Sequence, residues 1–175
     1  YSPFTTSLLQ QEGNRKLGYG AKRTMAIAQT LYENGFITYM RTDSVNLSDD
    51  ARKAALAQIE TSFGKNFGQA RFYKTKSSGA QEAHEAIRPT DARAEFASSD
   101  AYNQKLYDLI RRRTIASQMA PAKLEKTTVT ITISTRKETF EAKGEVIVLD
   151  GFLKMYGGGK KDPDILPPVS ATDVL

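Results

Sequence analysis

The sequence predicts an α+β chain, with a mainly helical front giving way near Pro121 to a β-rich remainder. Two observations carry this reading. Before Ser117, apolar residues recur at helical spacing between turn signals; from Thr127 onward they alternate with polar ones. A length of 175 residues, 39% of them hydrophobic and 26% charged, is enough to bury a core.

Over residues 22–33, Met25, Ala28, Leu31 and Tyr32 mark a helix that Asn34-Gly35 stops. Phe36-Ile37-Thr38-Tyr39 is short and β-prone, and reads as a strand ending at the polar cluster Arg41-Thr42-Asp43-Ser44. Ser48 has the character of an N-cap, with Asp49 and Asp50 in the first turn complementing the helix dipole. Leu56, Ile59 and Phe63 continue that helix on one face. Residues 64–79 read as a loop, and a short helical turn is expected over residues 82–87, ended by Pro89. Residues 101–117 form a further helix with Tyr102, Leu106, Leu109 and Ile110 facing inward.

Val129, Ile131 and Ile133 then alternate with Thr128, Thr130, Thr132 and Ser134, a period of two. Phe140, Ala142, Val146 and Val148 resume it after a turn near Arg136-Lys137, and Gly144 is expected to mark a bulge. The run from Gly157 to Asp164 reads as a flexible turn, and Pro167-Pro168 argues against regular structure. No internal repeat is present.

Composition narrows the function classes. Without cysteine there is neither a disulfide nor a thiolate metal site, which fits a reducing compartment. No apolar run approaches the roughly 20 residues of a membrane span. The chain opens Tyr1-Ser2-Pro3, with no initiator Met and no signal-peptide pattern, and reads as a fragment or a processed chain. Against 20 Asp+Glu stand 25 Lys+Arg, and the resulting +5 leans mildly toward polyanions.

The densest polar constellation is Tyr39-Met40-Arg41-Thr42-Asp43-Ser44. A tyrosine at a strand end, two residues before an arginine, sets a phenolic oxygen beside a positive charge. A free phenol is mostly protonated at neutral pH, so attack on a phosphodiester needs such a cation to stabilise phenolate or the transition state. A structural tyrosine beside solvated charges is the other reading. In Gln81-Glu82-Ala83-His84-Glu85-Ala86-Ile87-Arg88-Pro89-Thr90, His84 is the only histidine of the chain. Arg88 stands where a zinc protease needs its second His, and no other His or Cys completes a zinc site. His84 and Arg88, four apart, either contact one phosphate or are a surface His and a salt-bridged Arg. Asp162-Pro163-Asp164 has spaced carboxylates but lies in a Gly/Lys/Pro turn and reads as solvated. Of Arg111-Arg112-Arg113, on a helix, at least one member must turn inward or sideways.

Taken together, these pieces resemble the bacterial type IA DNA topoisomerases. The resemblance rests on Pro3-Phe4-Thr5-Thr6-Ser7 with Leu9-Gln10-Gln11-Glu12, then Thr24-Met25, Ala28-Gln29 and Leu31-Tyr32-Glu33. It continues through Gly35, the stretch from Ile37 to Ser44, and the run from Gln81 to Thr90. Leu106-Tyr107-Asp108-Leu109-Ile110, Ala116-Ser117-Gln118-Met119, Pro121-Ala122 and Gly151-Phe152-Leu153 complete it, in family order. One departure is Arg111, where relatives often carry an aromatic residue.

The resemblance implies that Tyr39 is the nucleophile, becoming joined to the 5′-phosphate of a cut strand. It implies that Arg41 contacts the scissile phosphate, and that His84 hydrogen-bonds it or assists proton transfer. Arg88, Asp43 and Ser44 fall in matching motifs and are expected at the DNA. Residues 1–122 are expected to form the catalytic-tyrosine domain, a helical fold similar to catabolite-activator (winged-helix-like) DNA-binding domains. Residues 123–175 are expected to form part of the β-rich arch or hinge domain. The implied activity is ATP-independent relaxation of negative supercoils through a phosphotyrosine intermediate. The implied Mg2+ belongs to a toprim domain that this sequence lacks, so the fragment is expected to bind none and to be inactive alone, with Tyr39 more exposed than under toprim. The implied partners are single-stranded or negatively supercoiled DNA and the remaining domains of the same protein, in the cytoplasm at the nucleoid, with no membrane. Two alternatives stand beside this: a helix-turn-helix-like DNA binder without chemistry, and a segment of topoisomerase III or reverse gyrase. Gln118-Met119 and Gly151-Phe152 favour the topoisomerase I branch.

Overall fold

Thr5 opens the first helix, its side chain accepting a hydrogen bond from the Leu8 N–H, and the helix α1 runs Thr6–Leu17 to a left-handed Gly18. Periodicity alone does not announce α1, because its apolar positions are sparse and Gly13 interrupts them. The computed structural model describes residues 1–73, 84–133, 135–158 and Leu166. Gln81, Glu82 and Ala83, Ser134, the aspartates of Asp162-Pro163-Asp164 and the pair Pro167-Pro168 lie outside the described residues.

Helix α2 spans Ala21–Glu33 and buries Thr24, Ile27, Ala28 and Leu31. It ends as expected at Asn34-Gly35. Gly35 takes φ 76°, its N–H donates to Tyr32 O and the Phe36 N–H donates to Leu31 O, so the last carbonyls are satisfied while the chain reverses. Helix α3 spans Asp49–Phe63 from the Ser48 cap, which accepts from Ala51 N–H, with Asp49 and Asp50 in its first turn. Helix α4 covers Ala101–Ser117 and is capped by Asp100, whose carboxylate accepts from the N–H groups of Tyr102 and Asn103.

Three expectations in this helical part are corrected. The turn expected over residues 82–87 is not helical where it is described: Ile87 pairs antiparallel with Phe4, and Pro89 with Ile37. The short strand at Phe36–Tyr39 reduces to that single bridge at Ile37. Tyr102, expected inside, is exposed, its ring under the Arg23 guanidinium and edge-on to Tyr19.

The core gathers Phe4, Leu9, Leu31, Ile37, Ile87, Leu106, Tyr107 and Ile110 from α1, α2, α4 and the extended segments between. Of the three consecutive arginines, Arg111 turns inward and donates to Ala92 O and Glu95. The residues after α3 are tied to the end of α4, with Gln69 N–H donating to Gln118 O and Tyr73 Oη to Ser117 O.

The chain divides into two compact units, Tyr1–Ala120 and Pro121–Leu175. The second is an antiparallel pair, β1 (Lys123–Thr132) and β2 (Thr139–Leu149), followed by a 3-10 turn at Gly151–Tyr156. Val129 faces Ala142 and Ile131 faces Phe140, as the alternation requires. The bulge is not at Gly144, which pairs regularly with Thr127; the register slips between Lys123 and Leu124. The chain is thus α+β, a helical unit followed by a small sheet.

Gly13 of α1 lies against Thr24 of α2. A Cβ there stands 2.9 Å from Thr24 Oγ1 and 3.2 Å from its Cγ2. Thr24 is fully buried and stiff at χ1. Alanine adds roughly 1 kcal/mol of helix propensity, but overpacking costs about 1–3 kcal/mol. Gly13→Ala is therefore expected to lower stability in urea unfolding, and a second change, Thr24→Ala, to restore most of the loss by opening the space.

Candidate functional site

Gly35 turns the chain out of α2 into an extended segment, and burial then alternates along it. Met40, Thr42 and Ser44 point inward; Tyr39, Arg41 and Asp43 point out. Two apposed segments hold this geometry. On one side Thr38 N–H donates to Arg88 O (2.9 Å), Thr38 Oγ1 donates to Ala86 O (2.8 Å) and accepts from Arg88 N–H (3.0 Å). Thr90 N–H donates to Phe36 O (3.0 Å), and Thr90 Oγ1 donates to Gly35 O (2.7 Å). On the other side the first turn of α1 grips residues 40–42 through Thr6, and Ile87 N–H donates to Phe4 O (2.9 Å).

These segments enclose a cleft of about 550 Å³ lined by Thr5, Thr6, Ser7, Arg41, Thr42, Asp43 and His84. It brings together Arg41, Asp43 and His84 with the N-terminal turn of α1. Backbone N–H groups at a helix start favour an anion, and a guanidinium beside them adds a planar donor array suited to phosphate. The Asp43 carboxylate partly offsets that charge. Tyr39 stands outside the cleft lining, two residues from Arg41 on the same outward edge, 41% exposed. Its ring packs edge to face on Tyr32, centroids 5.3 Å apart at 66°.

Ser44 and Arg88 stand elsewhere. Ser44 is buried, its hydroxyl accepting from Asn46 N–H (3.1 Å). Arg88 is largely covered and committed to Glu85 Oε2, at 2.6 Å from Nη2, and to Pro89 O. Since residues 84–88 are not helical, His84 and Arg88 do not share a helical face.

Glu85 is a functional neighbour that no local pattern singles out. Its Oε1 accepts from Ser48 N–H at 2.6 Å, while Oε2 takes Arg88, so one carboxylate joins the segment after His84 to the cap of α3. Partial burial raises the Glu85 carboxyl, but the bonds from Arg88 and Ser48 outweigh it, and it lies below its ordinary value. The bonds of Thr6 and Thr38 and the Glu85–Ser48 bond span 34 or more residues, where no spacing rule applies; only the Glu85–Arg88 bond is local.

Among the described residues no three His, Asp or Glu side chains converge in a way that fits a metal ion. The excess positive charge of the chain lies in residues 1–120; beyond them basic and acidic residues balance.

Comparison with known proteins places the chain in a class. Residues 1–175 match the family model described as DNA topoisomerase, and the chain belongs to that family. Its relatives carry a narrower name. It is 47% identical over 191 residues to DNA topoisomerase 1 of Streptomyces coelicolor, covering 100% of this chain and 20% of that protein. It is 50% identical over 157 residues to DNA topoisomerase 1 of Zymomonas mobilis, covering 88% of this chain and 13% of that one. Full-length topoisomerase I of Thermotoga maritima superposes with a TM-score of 0.75 at 35% identity, over 97% of this chain and 29% of that one. The chain therefore spans about a fifth of the length of the curated relatives it matches.

Because the folded value of Glu85 is depressed, its contribution to stability is present above the ordinary carboxylate range and is lost as pH falls through the lowered value. Glu85→Gln is expected to lower the melting temperature at neutral pH. The gap between variant and parent should close as pH is lowered from the ordinary carboxylate range through the depressed value of Glu85. Parallel melting curves with a constant gap would place the effect outside the carboxylate.

Proposed function

We propose that this chain carries the strand-cutting centre of a type IA DNA topoisomerase, with Tyr39 as nucleophile. The observation that supports it most is the outward edge Tyr39–Arg41, pinned from both sides, with Arg41 opening into the cleft that His84 and the start of α1 line.

In this reading Tyr39 Oη attacks the phosphorus of a single strand. The phosphorus–O3′ bond breaks, the 5′-phosphate becomes esterified to the tyrosine, the phenolic proton is lost and the 3′-oxygen gains one. Arg41 stabilises the charge that grows on the non-bridging oxygens, and His84 hydrogen-bonds the phosphate or passes the proton. One phosphodiester is exchanged for another, so the free 3′-hydroxyl reverses the step without ATP. Asp43 faces the same strand. Ser44 and Arg88 hold the frame behind the reacting groups.

Residues 1–122 are then the catalytic-tyrosine domain and residues 123–175 part of the arch that hinges the gate. The full protein relaxes negatively supercoiled DNA in the cytoplasm, at the nucleoid. Magnesium is supplied by a toprim domain outside this sequence, and the chain alone is inactive in cleavage.

The test mixes the chain with a toprim-containing segment, magnesium and a labelled single-stranded oligonucleotide, and maps the product by mass spectrometry. A DNA adduct on Tyr39 is expected, absent in Tyr39→Phe. Arg41→Ala should slow its formation by about 10²–10³-fold, the scale for losing one transition-state donor. No adduct from segments shown to associate would leave a DNA-binding module without chemistry.

A further inference from the structure

We propose that Thr6 is the positioning residue for Arg41: the Thr6 hydroxyl decides where the guanidinium stands in the cleft. The inference rests on the reading that this cleft takes a DNA phosphate.

Four hydrogen-bond contacts of one residue bracket Arg41. Thr6 Oγ1 donates to Met40 O at 2.8 Å, just before the arginine, with Thr42 O at 3.1 Å as a second acceptor. The same oxygen accepts from Thr42 N–H at 2.9 Å, just after it. Thr6 N–H donates to Thr42 O at 2.9 Å. A hydroxyl has one proton to give and two lone pairs to receive, so Thr6 Oγ1 satisfies a carbonyl and an amide of the same loop. Both flanking peptides of Arg41 are thereby referred to the first turn of α1, whose residues Thr6 and Ser7 line the cleft.

The consequence is geometric. Arg41 is exposed at the end of a long side chain, so a small swivel of its backbone moves the guanidinium far. Without the hydroxyl, the Thr6 N–H bond to Thr42 O and the Thr38 bonds remain, and the loop stays attached while losing its fixed angle. The role is thus separable from folding. Valine keeps the branched shape and drops the hydroxyl; serine keeps the hydroxyl and drops the methyl.

The experiment measures binding of the 175-residue chain to a fluorescent single-stranded oligonucleotide by anisotropy. The proteins are the parent, Thr6→Val, Thr6→Ser, Arg41→Ala and the double variant Thr6→Val/Arg41→Ala, each with its melting temperature recorded. Thr6→Val is expected to weaken binding by about fivefold to tenfold, and Thr6→Ser to recover it to within about twofold. In the Arg41→Ala background the valine change should cost less than about twofold, the sign that Thr6 acts through Arg41. If Thr6→Val melts below the assay temperature, Thr6→Ala takes its place in the same cycle. Equal losses in both backgrounds, an unaffected Thr6→Val, or a parent chain that does not bind would each overturn the inference. A Tyr39 adduct without coupling rejects the Thr6 role alone, and coupling without an adduct rejects only the nucleophile.

Discussion

The site depends on one constraint: residues 36–44 and 84–90 lie outside any named helix or strand, yet much of their backbone is covered. Buried N–H and C=O groups must find partners. Here threonine and serine hydroxyls and isolated bridges provide them. Thr38 ties residues 86 and 88, Thr6 ties residues 40 and 42, and Ser44 and Thr42 close the turn that follows. The alternation of burial along residues 40–44 follows from that stitching. With the backbone held extended, every second side chain must face the core, and the others, Tyr39, Arg41 and Asp43, must face out.

The energetic weight of such a frame is modest per bond and large in effect. Each hydrogen bond nets about 0.5–1.5 kcal/mol, while a buried group left unpaired costs about 1–3 kcal/mol. A frame of this kind therefore contributes less to global stability than the apolar core around Leu31, Ile37, Ile87 and Ile110, and more to the precision of what it carries. The core and the frame meet at Ile37 and Ile87, whose side chains are fully buried while their backbones bridge to Pro89 and Phe4. Packing there sets how far apart the segments stand, and the hydroxyls set their angle.

Charge is arranged at two scales. Locally, Arg41, Asp43 and His84 share a cleft with the start of α1, while Arg88 is neutralised by Glu85 and withdrawn into the scaffold. Along the chain, the positive excess is confined to the helical unit, and residues 121–175 are balanced. Two arginines with the same charge thus have opposite circumstances: Arg41 keeps an exposed donor array, and Arg88 uses its own to hold Glu85 and Pro89. Arg111 is a third case, buried and bonded to Ala92 O and Glu95.

Much of the local structure was legible in residue order. The α2 stop at Asn34-Gly35, the Ser48 cap, the limits of α4 and the β1–β2 alternation rest on contacts within a few residues, which periodicity and capping encode. Helix α1 was missed because its apolar signal is sparse and its cap, Thr5, acts without a periodic face behind it. The extended form of residues 84–90 was hidden for another reason: its partners are Phe4, Phe36 and Thr38, 50 residues away in the case of the Thr38–Arg88 bond. The sequence by itself determined the order of the motifs, with tyrosine and arginine two apart in one polar cluster, and so the candidates for the chemistry. Only the tertiary structure decided that Arg41 and His84 share a cleft, that Ser44 and Arg88 do not line it, and that Thr6 and Glu85 hold it. Side-chain hydrogen bonds over long separations leave no period in a sequence.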